Sequence, residues 1–320
     1  MDVVGFGASS VDYVNILPAA PSAGGAHAKL RISSHFSSCG GQVANAMAAC
    51  AALGLRARFL GPIGNDANAA RVRKELAARQ VDVSAAIEHE AANQFAVILV
   101  DQRNGERIVL WDRDPRLSVR RGEVHARLFG GARLLHVDDV DEDGAIEAAG
   151  IAVAAGMTVT SDLDRVTMRT QELIDTVTIP VFAQHVPGAV TGESDLEAAL
   201  RRLKRPHHTL LCVTLGTEGA VALDGDRFVR SPAFAVDAVD TTGAGDVFRA
   251  GLIRGVLAGQ PVEAALRFAN AAAAVSCTRL GAMSAVPALR EVEDLVQRSP
   301  EPGRRGPSAR FSGKAEGAES

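Results

Sequence analysis

Short apolar runs alternate with helix-length segments along most of this chain, and that alternation constrains the fold more than any other feature. The clearest runs are VVGF, LLHV, MTVTS, IPVF and LLCVT, and segments rich in Ala, Leu and charged residues separate them. Strands that are joined through helices pair in parallel, and the helices then cover both faces of the sheet. The pattern predicts an α/β fold with a doubly wound, mostly parallel sheet flanked by helices.

Two stretches depart from this alternation. Residues 14–37 contain several Pro and Gly residues and then the alternating run AKLRISSHF, whereas residues 94–111 have the pattern of two strands around an Asn-Gly turn. Strands of this kind fit a small separate sheet better than the parallel core. We expect them to form a small β lid on a domain that spans residues 1–298.

Residues 299–320 differ in composition from the rest of the chain. They are rich in Pro, Gly, Ser and charged residues. Such a segment cannot bury enough apolar surface to fold. We expect a disordered tail there.

The overall composition limits the kind of partner. The formal net charge is −4, whereas proteins that bind nucleic acids or membrane surfaces need a positive field. The four cysteines form no Cys-x-x-Cys pair, and no apolar run reaches the roughly 20 residues of a membrane span. The N-terminal MDVVGFGASS also lacks the features of a signal peptide. We expect a cytoplasmic protein that binds a small molecule, with no nucleic acid and no membrane as partner.

The stretch DTTGAGDVFRAGL, residues 240–252, places an acid behind small residues at the start of a helix. The free amides and the positive end of the helix dipole attract an anion there, and Gly243 and Gly245 let the backbone approach it closely. A fixed carboxylate would repel an incoming phosphate, so Asp246 fits a general base that takes a proton from an attacking hydroxyl. The alternative is that Asp246 only caps the helix.

Other loops at the expected carboxyl edge of the sheet carry polar groups. Gly40 and Gly41 precede a helix that contains Asn45, an arrangement suited to binding hydroxyls. Asp12 follows the first strand, within a turn, at the same edge. The run VTLGTEGA, residues 213–220, offers a loop for an adenine or a ribose. Taken alone, the Gly40–Gly41 turn and Asp12 are more typical of a tight turn and a cap than of a site. For VTLGTEGA, a glycine-rich hairpin turn is equally compatible.

Several common catalytic motifs are missing from the sequence. It contains no Gly-x4-Gly-Lys-Ser/Thr loop and no Gly-x-Ser-x-Gly elbow. GFGASS lacks the third glycine of a dinucleotide fingerprint, and HEAAN lacks the second histidine of a zinc-binding helix. These gaps argue against P-loop, hydrolase, dehydrogenase and zinc chemistry.

The ordered set of motifs resembles the ribokinase-like carbohydrate kinases, also called the phosphofructokinase B family. The resemblance covers residues 2–290, and DTTGAGD is its most specific element. It rests on Asp12 and on the runs GGQVANAMAACAALG, VTLGTEGA, DTTGAGDVFRAGL and FANAAAAVSCTRLGA. Within the family, FAQHVPGAVTG and CTRLGA are most similar to sulfofructose-kinase-like members.

The resemblance implies ATP-dependent phosphorylation of an alcohol on a sugar or a nucleoside, with Mg²⁺. Asp246 is then the catalytic base, and the amides of Gly243, Ala244 and Gly245 form the anion hole. The residues implied for substrate hydroxyls are Asp12, Gly40, Gly41 and Asn45. The residues implied to border the nucleotide are Thr214, Gly216, Gly219 and Asn270.

Many family members also bind a monovalent cation, such as K⁺, beside the anion hole. The matching positions are Asp240, Thr242, Ser276, Arg279 and Gly281. The last four are implied to bind the cation mainly through their backbone carbonyls. One family motif is absent, because Gln184 and His185 stand where Asn-x-x-Glu organises the Mg²⁺ hydration shell. How this chain organises Mg²⁺ is therefore left open.

An ATP-dependent sugar kinase is the function that these features favour. A nucleoside kinase on the same fold is the alternative within enzymes, and it would need an apolar lid contact for the base. A non-catalytic sugar-binding or regulatory protein is the alternative of another class. Exposed strand edges in the lid also predict a homodimer through the lid.

Overall fold

The strands of this protein form a core sheet and a separate lid sheet. The computed structural model describes residues 1–104 and 106–299. Its strands are β1 (Val3–Phe6), β2 (Ser10–Leu17), β3 (Ser34–Gly40), β4 (Ala57–Phe59), β5 (Pro62–Ile63), β6 (Ile87–Glu88), β7 (Phe95–Asp101), β8 (Arg107–Asp112), β9 (Leu134–Asp138), β10 (Thr158–Asp162), β11 (Val181–Ala183), β12 (Leu211–Thr214), β13 (Ala220–Asp224) and β14 (Arg227–Ser231).

Helices fill most of the connections between the core strands. They are α1 (Gln42–Ala52), α2 (Ala67–Ala78), α3 (Glu142–Ala154), α4 (Thr170–Thr176), α5 (Val186–Thr191), α6 (Leu196–Leu203), α7 (Ala244–Leu257), α8 (Val262–Ser276) and α9 (Leu289–Arg298). Local sequence explains some of their boundaries. Asp66, for example, accepts a hydrogen bond from the amide of Ala69 and so begins α2, whose apolar face buries Val72 and Leu76.

The core sheet consists of two four-stranded parts with the orders β10-β9-β1-β4 and β11-β12-β13-β14. Parallel bridges join them, from Thr160 to Ile179 and from Leu163 to Phe182. Pairing is parallel from β4 across to β12 and antiparallel at β13 and β14. The mostly parallel α/β sheet that the alternation predicts is confirmed.

Helices cover both faces of this sheet. Along β1, Val3 points into an apolar cluster that includes residues of α1 and α7, whereas Val4 points into a cluster that includes α3. Successive side chains of a strand face opposite sides, so both of them become fully buried. The carboxyl ends of the central strands therefore meet at one edge, between two layers of helices.

The lid is a separate sheet with the order β3-β2-β7-β8. It differs from the sequence expectation in its first half, because β2 already begins at Ser10 and β3 begins only at Ser34. Asp12 thus lies in a lid strand and not in the turn that the sequence predicts. The reason is tertiary, since β2 gains backbone partners on both sides, antiparallel with β3 and parallel with β7.

The outer strand of the lid is β8, and all its residues are exposed. The exposed fractions of its large apolar side chains rise from 42% for Ile108 to 65% for Trp111. A free edge that carries apolar side chains is a surface on which another strand can pair.

Two glycines bring α7 and α8 unusually close together. A Cβ atom on Gly251 would lie 2.7 Å from the Cα of Ala269, and a Cβ on Gly255 would lie 2.6 Å from the Cβ of Ala265. The pairs are four residues apart on each helix and therefore lie on one face. This contact fixes the position of α7, whose first turn borders the carboxyl edge of the sheet.

The predicted tail at 299–320 lies, from Pro300 onward, outside the described residues. Within the described ranges, no helix is long and apolar enough to cross a membrane.

We predict that Gly251→Ala lowers the free energy of unfolding by about 1–3 kcal/mol, because the added methyl group must push two helix backbones apart. The matched control is Gly150→Ala in α3, where a Cβ meets nothing within 4 Å. The control should be neutral or stabilising by up to about 1 kcal/mol, since alanine favours helices over glycine. Denaturant titration of both variants measures the difference, and equal stabilities would contradict the close α7–α8 contact.

Candidate active site

The first turn of α7 presents backbone amides to the carboxyl edge of the sheet. Gly243 caps the helix in the left-handed conformation, with a φ of 77° that a side chain would oppose. Within the described residues, the amides of Gly243, Gly245 and Asp246 have no hydrogen-bond acceptor, whereas the amide of Ala244 donates to the carbonyl of Thr241 at 3.2 Å. Free amides at a helix N-terminus form an anion-binding site.

Asp246 lies in this turn and is almost completely buried, with an exposed fraction of 8%. The side-chain amide of Asn45, from α1, donates to its Oδ2 at 2.8 Å. Burial raises the pKa of Asp246 to about 7, although the hydrogen bond from Asn45 and the charge of Arg249 oppose the rise. A carboxylate with a pKa in this range is suited to exchanging a proton near neutral pH.

The predicted substrate residues surround the short connection from β1 to β2. Gly41 has a φ of 97°, and a Cβ there would lie 2.5 Å from the Cα of Ser9. A Cβ on Gly40 would lie 2.5 Å from Oδ2 of Asp12, so these two residues are in direct contact. Burial raises the pKa of Asp12, whose Oδ1 accepts a hydrogen bond from the Ser10 hydroxyl at 3.0 Å. The lid strands and the start of α1 thus meet here.

Two further carboxylates, which no motif in the sequence singled out, lie at the ends of core strands. Asp138 ends β9 and accepts a hydrogen bond from the amide of Ala8 at 2.7 Å. Asp162 ends β10 and forms an ion pair with Arg249, with 2.5 Å between Nη2 and Oδ1. Burial raises the pKa of Asp138 to about 7 and raises the pKa of Asp162 well above its usual value.

The sequence carried a signal for both of these residues. HVDD and TSDLD each end an apolar strand with acids, and parallel strands bring their carboxyl ends to one edge. The signal for Arg249 is an arginine on an otherwise apolar helix face, one turn after Asp246. The site therefore contains more buried charge than the motif alone indicated.

The predicted nucleotide residues lie around the turn between β12 and β13 and on α8. Thr214 ends β12, and its hydroxyl donates to the carbonyl of Phe182 at 3.3 Å. Gly216 begins an exposed turn that Gly219 ends. The side-chain amide of Asn270 donates to the carbonyl of Ser231 at 2.9 Å, so its nitrogen holds the end of β14. The exposed backbone of this turn is open to a ligand.

The predicted cation residues fall into two groups. Asp240 is brought to Thr242 and Gly281, because its oxygens accept hydrogen bonds from both of their amides at 2.9 Å. Arg107, from lid strand β8, forms an ion pair with Asp240 at 2.7 Å and also bonds to the Thr242 hydroxyl. The other two side chains face elsewhere: Ser276 bonds to a carbonyl within α8, and Arg279 pairs with Glu291.

Comparison with known proteins identifies the family. The sequence description of the pfkB family carbohydrate kinases matches residues 8–289. An ATP-dependent ribose-1-phosphate kinase of Halopiger xanaduensis is 32% identical over 256 residues, which cover 79% of this chain and 85% of that relative. A ribokinase of Bacillus subtilis is 27% identical over 259 residues, which cover 80% of this chain and 87% of that relative.

A solved structure shares the fold. The ribokinase of Arabidopsis thaliana, complexed with ribose and ATP, superposes with a TM-score of 0.80 at 22% identity, and the match covers 93% of this chain and 99% of that chain. The family match extends from the lid through α8, and it includes every site residue described above. This chain belongs to the pfkB family of carbohydrate kinases.

Proposed function

We propose that this carbohydrate kinase transfers the γ-phosphate of ATP to a sugar hydroxyl, with Asp246 as the general base. The single observation that carries the assignment is the pairing of a buried carboxylate with free backbone amides in one helical turn. A base and an anion hole in contact are what phosphoryl transfer to a hydroxyl requires. If Asp246 only capped the helix, its carboxylate would not need the hydrogen bond from Asn45 that orients it.

The proton and the developing charge go to different parts of this turn. Asp246 takes the proton of the attacking hydroxyl, and Asn45 holds its carboxylate through Oδ2. The predicted anion hole consists of Gly243, Ala244 and Gly245. The free amides of Gly243 and Gly245 support this role, whereas the amide of Ala244 would first have to leave the carbonyl of Thr241. The amide of Asp246 itself is a third free donor.

The sugar is proposed to lie between the lid and the start of α1. Asp12, on lid strand β2, would accept hydrogen bonds from hydroxyls. The backbone of Gly40 lies against its carboxylate with no side chain between them, and Gly41 packs beside it against Ser9. Relatives of this chain are named ribose-1-phosphate kinase, ribokinase and fructokinase. We therefore propose a pentose, a ketohexose or one of their derivatives as the substrate. The similarity to sulfofructose kinases in two segments stays a prediction.

ATP is proposed to bind along the exposed turn after β12, with Thr214, Gly216, Gly219 and Asn270 at its border. Within the described residues, no group of three or more acidic, His or Cys side chains is arranged to hold a metal ion. Mg²⁺ does not need such a cluster, because in kinases it binds mainly to phosphates and water with one or two protein carboxylates. Asp164, exposed beyond β10, is a carboxylate available to such an ion, which would neutralise phosphate charge.

The residues fit a monovalent cation only in part. Asp240 and Gly281 are adjacent, but both carboxylate oxygens of Asp240 already accept hydrogen bonds. The guanidinium of Arg107 also supplies a positive charge at that carboxylate. Potassium dependence therefore stays a prediction, which an assay with and without K⁺ tests.

A homodimer through the lid and a cytoplasmic location are also proposed. The exposed apolar edge strand β8, from Ile108 to Trp111, supports strand pairing between two copies. The unpaired state of the four cysteines supports a reducing compartment. Light scattering of the protein in solution tests the first of these proposals.

The function is tested by ADP release from MgATP over a panel of neutral sugars, sugar phosphates, sulfonated sugars and nucleosides. Turnover with a sugar or sugar derivative supports the proposal. Turnover with nucleosides alone would favour the nucleoside kinase, and ligand-induced thermal stabilisation without any turnover would favour the non-catalytic alternative.

We predict that Asp246→Asn lowers kcat by about 10²–10⁴-fold, because an amide cannot accept the hydroxyl proton. Stability should change little, since the asparagine fills the same space. The matched control is Asp237→Asn, whose carboxylate is exposed in the loop before the motif and should leave kcat unchanged. Steady-state kinetics with saturating ATP and sugar give both values, and an unchanged kcat in Asp246→Asn would remove Asp246 from the reaction.

The pH dependence of kcat gives a further prediction. Activity should rise with pH through about pH 7, because Asp246 must lose its proton before it can act as a base. Asn45→Ala removes a hydrogen bond that favours the ionised form, and such bonds to charged groups contribute about 1.5–3 kcal/mol. The acidic limb should therefore move up by about one pH unit. Exposed Asn65→Ala is the control and should keep the wild-type profile.

A further inference from the structure

Arg249 and Asp162 form a buried ion pair directly behind the catalytic turn. Their side chains are 5% and 3% exposed, and 2.5 Å separates Nη2 from Oδ1. Removing two charges from water is expensive, and apolar side chains of similar size are often at least as stable. Stability therefore does not explain why this helix carries an arginine at a fully buried position.

The position of the guanidinium gives a reason. Arg249 follows Asp246 by one helical turn, so both side chains lie on the same face of α7. A Cβ atom on Gly245 would lie 2.7 Å from Nη1 of Arg249, so the guanidinium packs against the glycine of the proposed anion hole. Its Nε is buried and has no hydrogen-bond partner within the described residues. Part of this cation is thus not satisfied by Asp162.

We propose that Arg249 is a positioning residue whose charge, held in place by Asp162, keeps Asp246 ionised and makes the anion-hole turn more positive. The proposal rests on the proposed function, because it gives Asp246 the role of base. Asp162 has the complementary role of holding the guanidinium under Gly245, so that Arg249 does not close onto the base itself.

The charges that face Asp246 come from several elements. Asp138, at the end of β9, and Asp164, beyond β10, both act to raise the pKa of Asp246, whereas Arg249 and the hydrogen bond from Asn45 act to lower it. His136, in β9, faces Arg249, but burial lowers its pKa to about 3, so it is neutral and adds no charge. Arg249 is therefore the cation on α7 that offsets the surrounding acids.

This arrangement predicts opposite effects from removing the two partners. Arg249→Met removes the cation beside Asp246 and leaves Asp162 without its ion-pair partner. Asp246 loses its counter-charge, and the acidic limb of kcat should move to higher pH. Asp162→Asn leaves the cation with a neutral partner, and the limb should move to lower pH. We expect each shift to be about one pH unit, the lower end of what a nearby charge produces.

The experiment compares the pH profiles of kcat for wild type, Arg249→Met, Arg249→Lys and Asp162→Asn. Arg249→Lys keeps the charge and should return the limb towards the wild-type position. The matched control is Arg254→Met, five residues further along α7, where the arginine contacts the carbonyl of Leu53 instead. Thermal unfolding shows which variants are folded, and Arg249→Lys and Asp162→Asn preserve polar atoms in case Arg249→Met does not fold.

A second readout separates this proposal from the proposed function. The carboxyl carbon-13 resonance of Asp246, assigned through Asp246→Asn, reports its ionisation without turnover. Shifts of its midpoint in opposite directions support the role of Arg249 even if no sugar is phosphorylated, in which case only the kinase assignment fails. Midpoints that stay within about 0.3 pH units of wild type in folded Asp162→Asn and Arg249→Met would overturn the proposal, and Asp162→Asn alone decides if Arg249→Met does not fold; shifts this small correspond to under about 0.5 kcal/mol.

Discussion

The burial of carboxylates at the carboxyl ends of parallel strands is the constraint on which the site depends. Asp138, Asp162 and Asp246 come from three elements and converge in a region with little solvent. Their mutual repulsion and the loss of hydration both favour the neutral forms. Hydrogen bonds from the amides of Ala8 and Asn45 and the charge of Arg249 oppose this effect. The pKa values of Asp138 and Asp246 therefore stay near neutral pH.

Helix α7, which carries the proposed catalytic turn, is held in place by close backbone contact with α8. Gly251 and Gly255 allow α8 to approach closely, and α1 also packs against α7. Because interiors are close-packed, a shift of α7 would move Asp246 and the free amides together. Rigid placement matters here, since phosphoryl transfer depends on position more than on covalent chemistry with the protein.

The lid contributes to the site in a way that its small size does not suggest. Asp12 and Gly40 lie on its neighbouring strands β2 and β3, and Arg107 on β8 reaches the loop that precedes α7. The proposed substrate residues and the loop of the proposed anion hole are therefore joined through one sheet. Closure of such an element excludes water from the transferred phosphoryl group, which is the usual purpose of a kinase lid.

The sequence by itself determined the class of fold, the family and the helix that carries Asp246, because periodicity and short motifs are local properties. It misplaced Asp12 in a turn and missed the ion pair of Asp162 with Arg249. Strand β2 exists because β3 and β7 bond to it from distant parts of the chain, and a buried charge is recognisable only from what surrounds it. Tertiary structure alone decided these features, since burial and hydrogen-bond partners arise only when separate elements pack together.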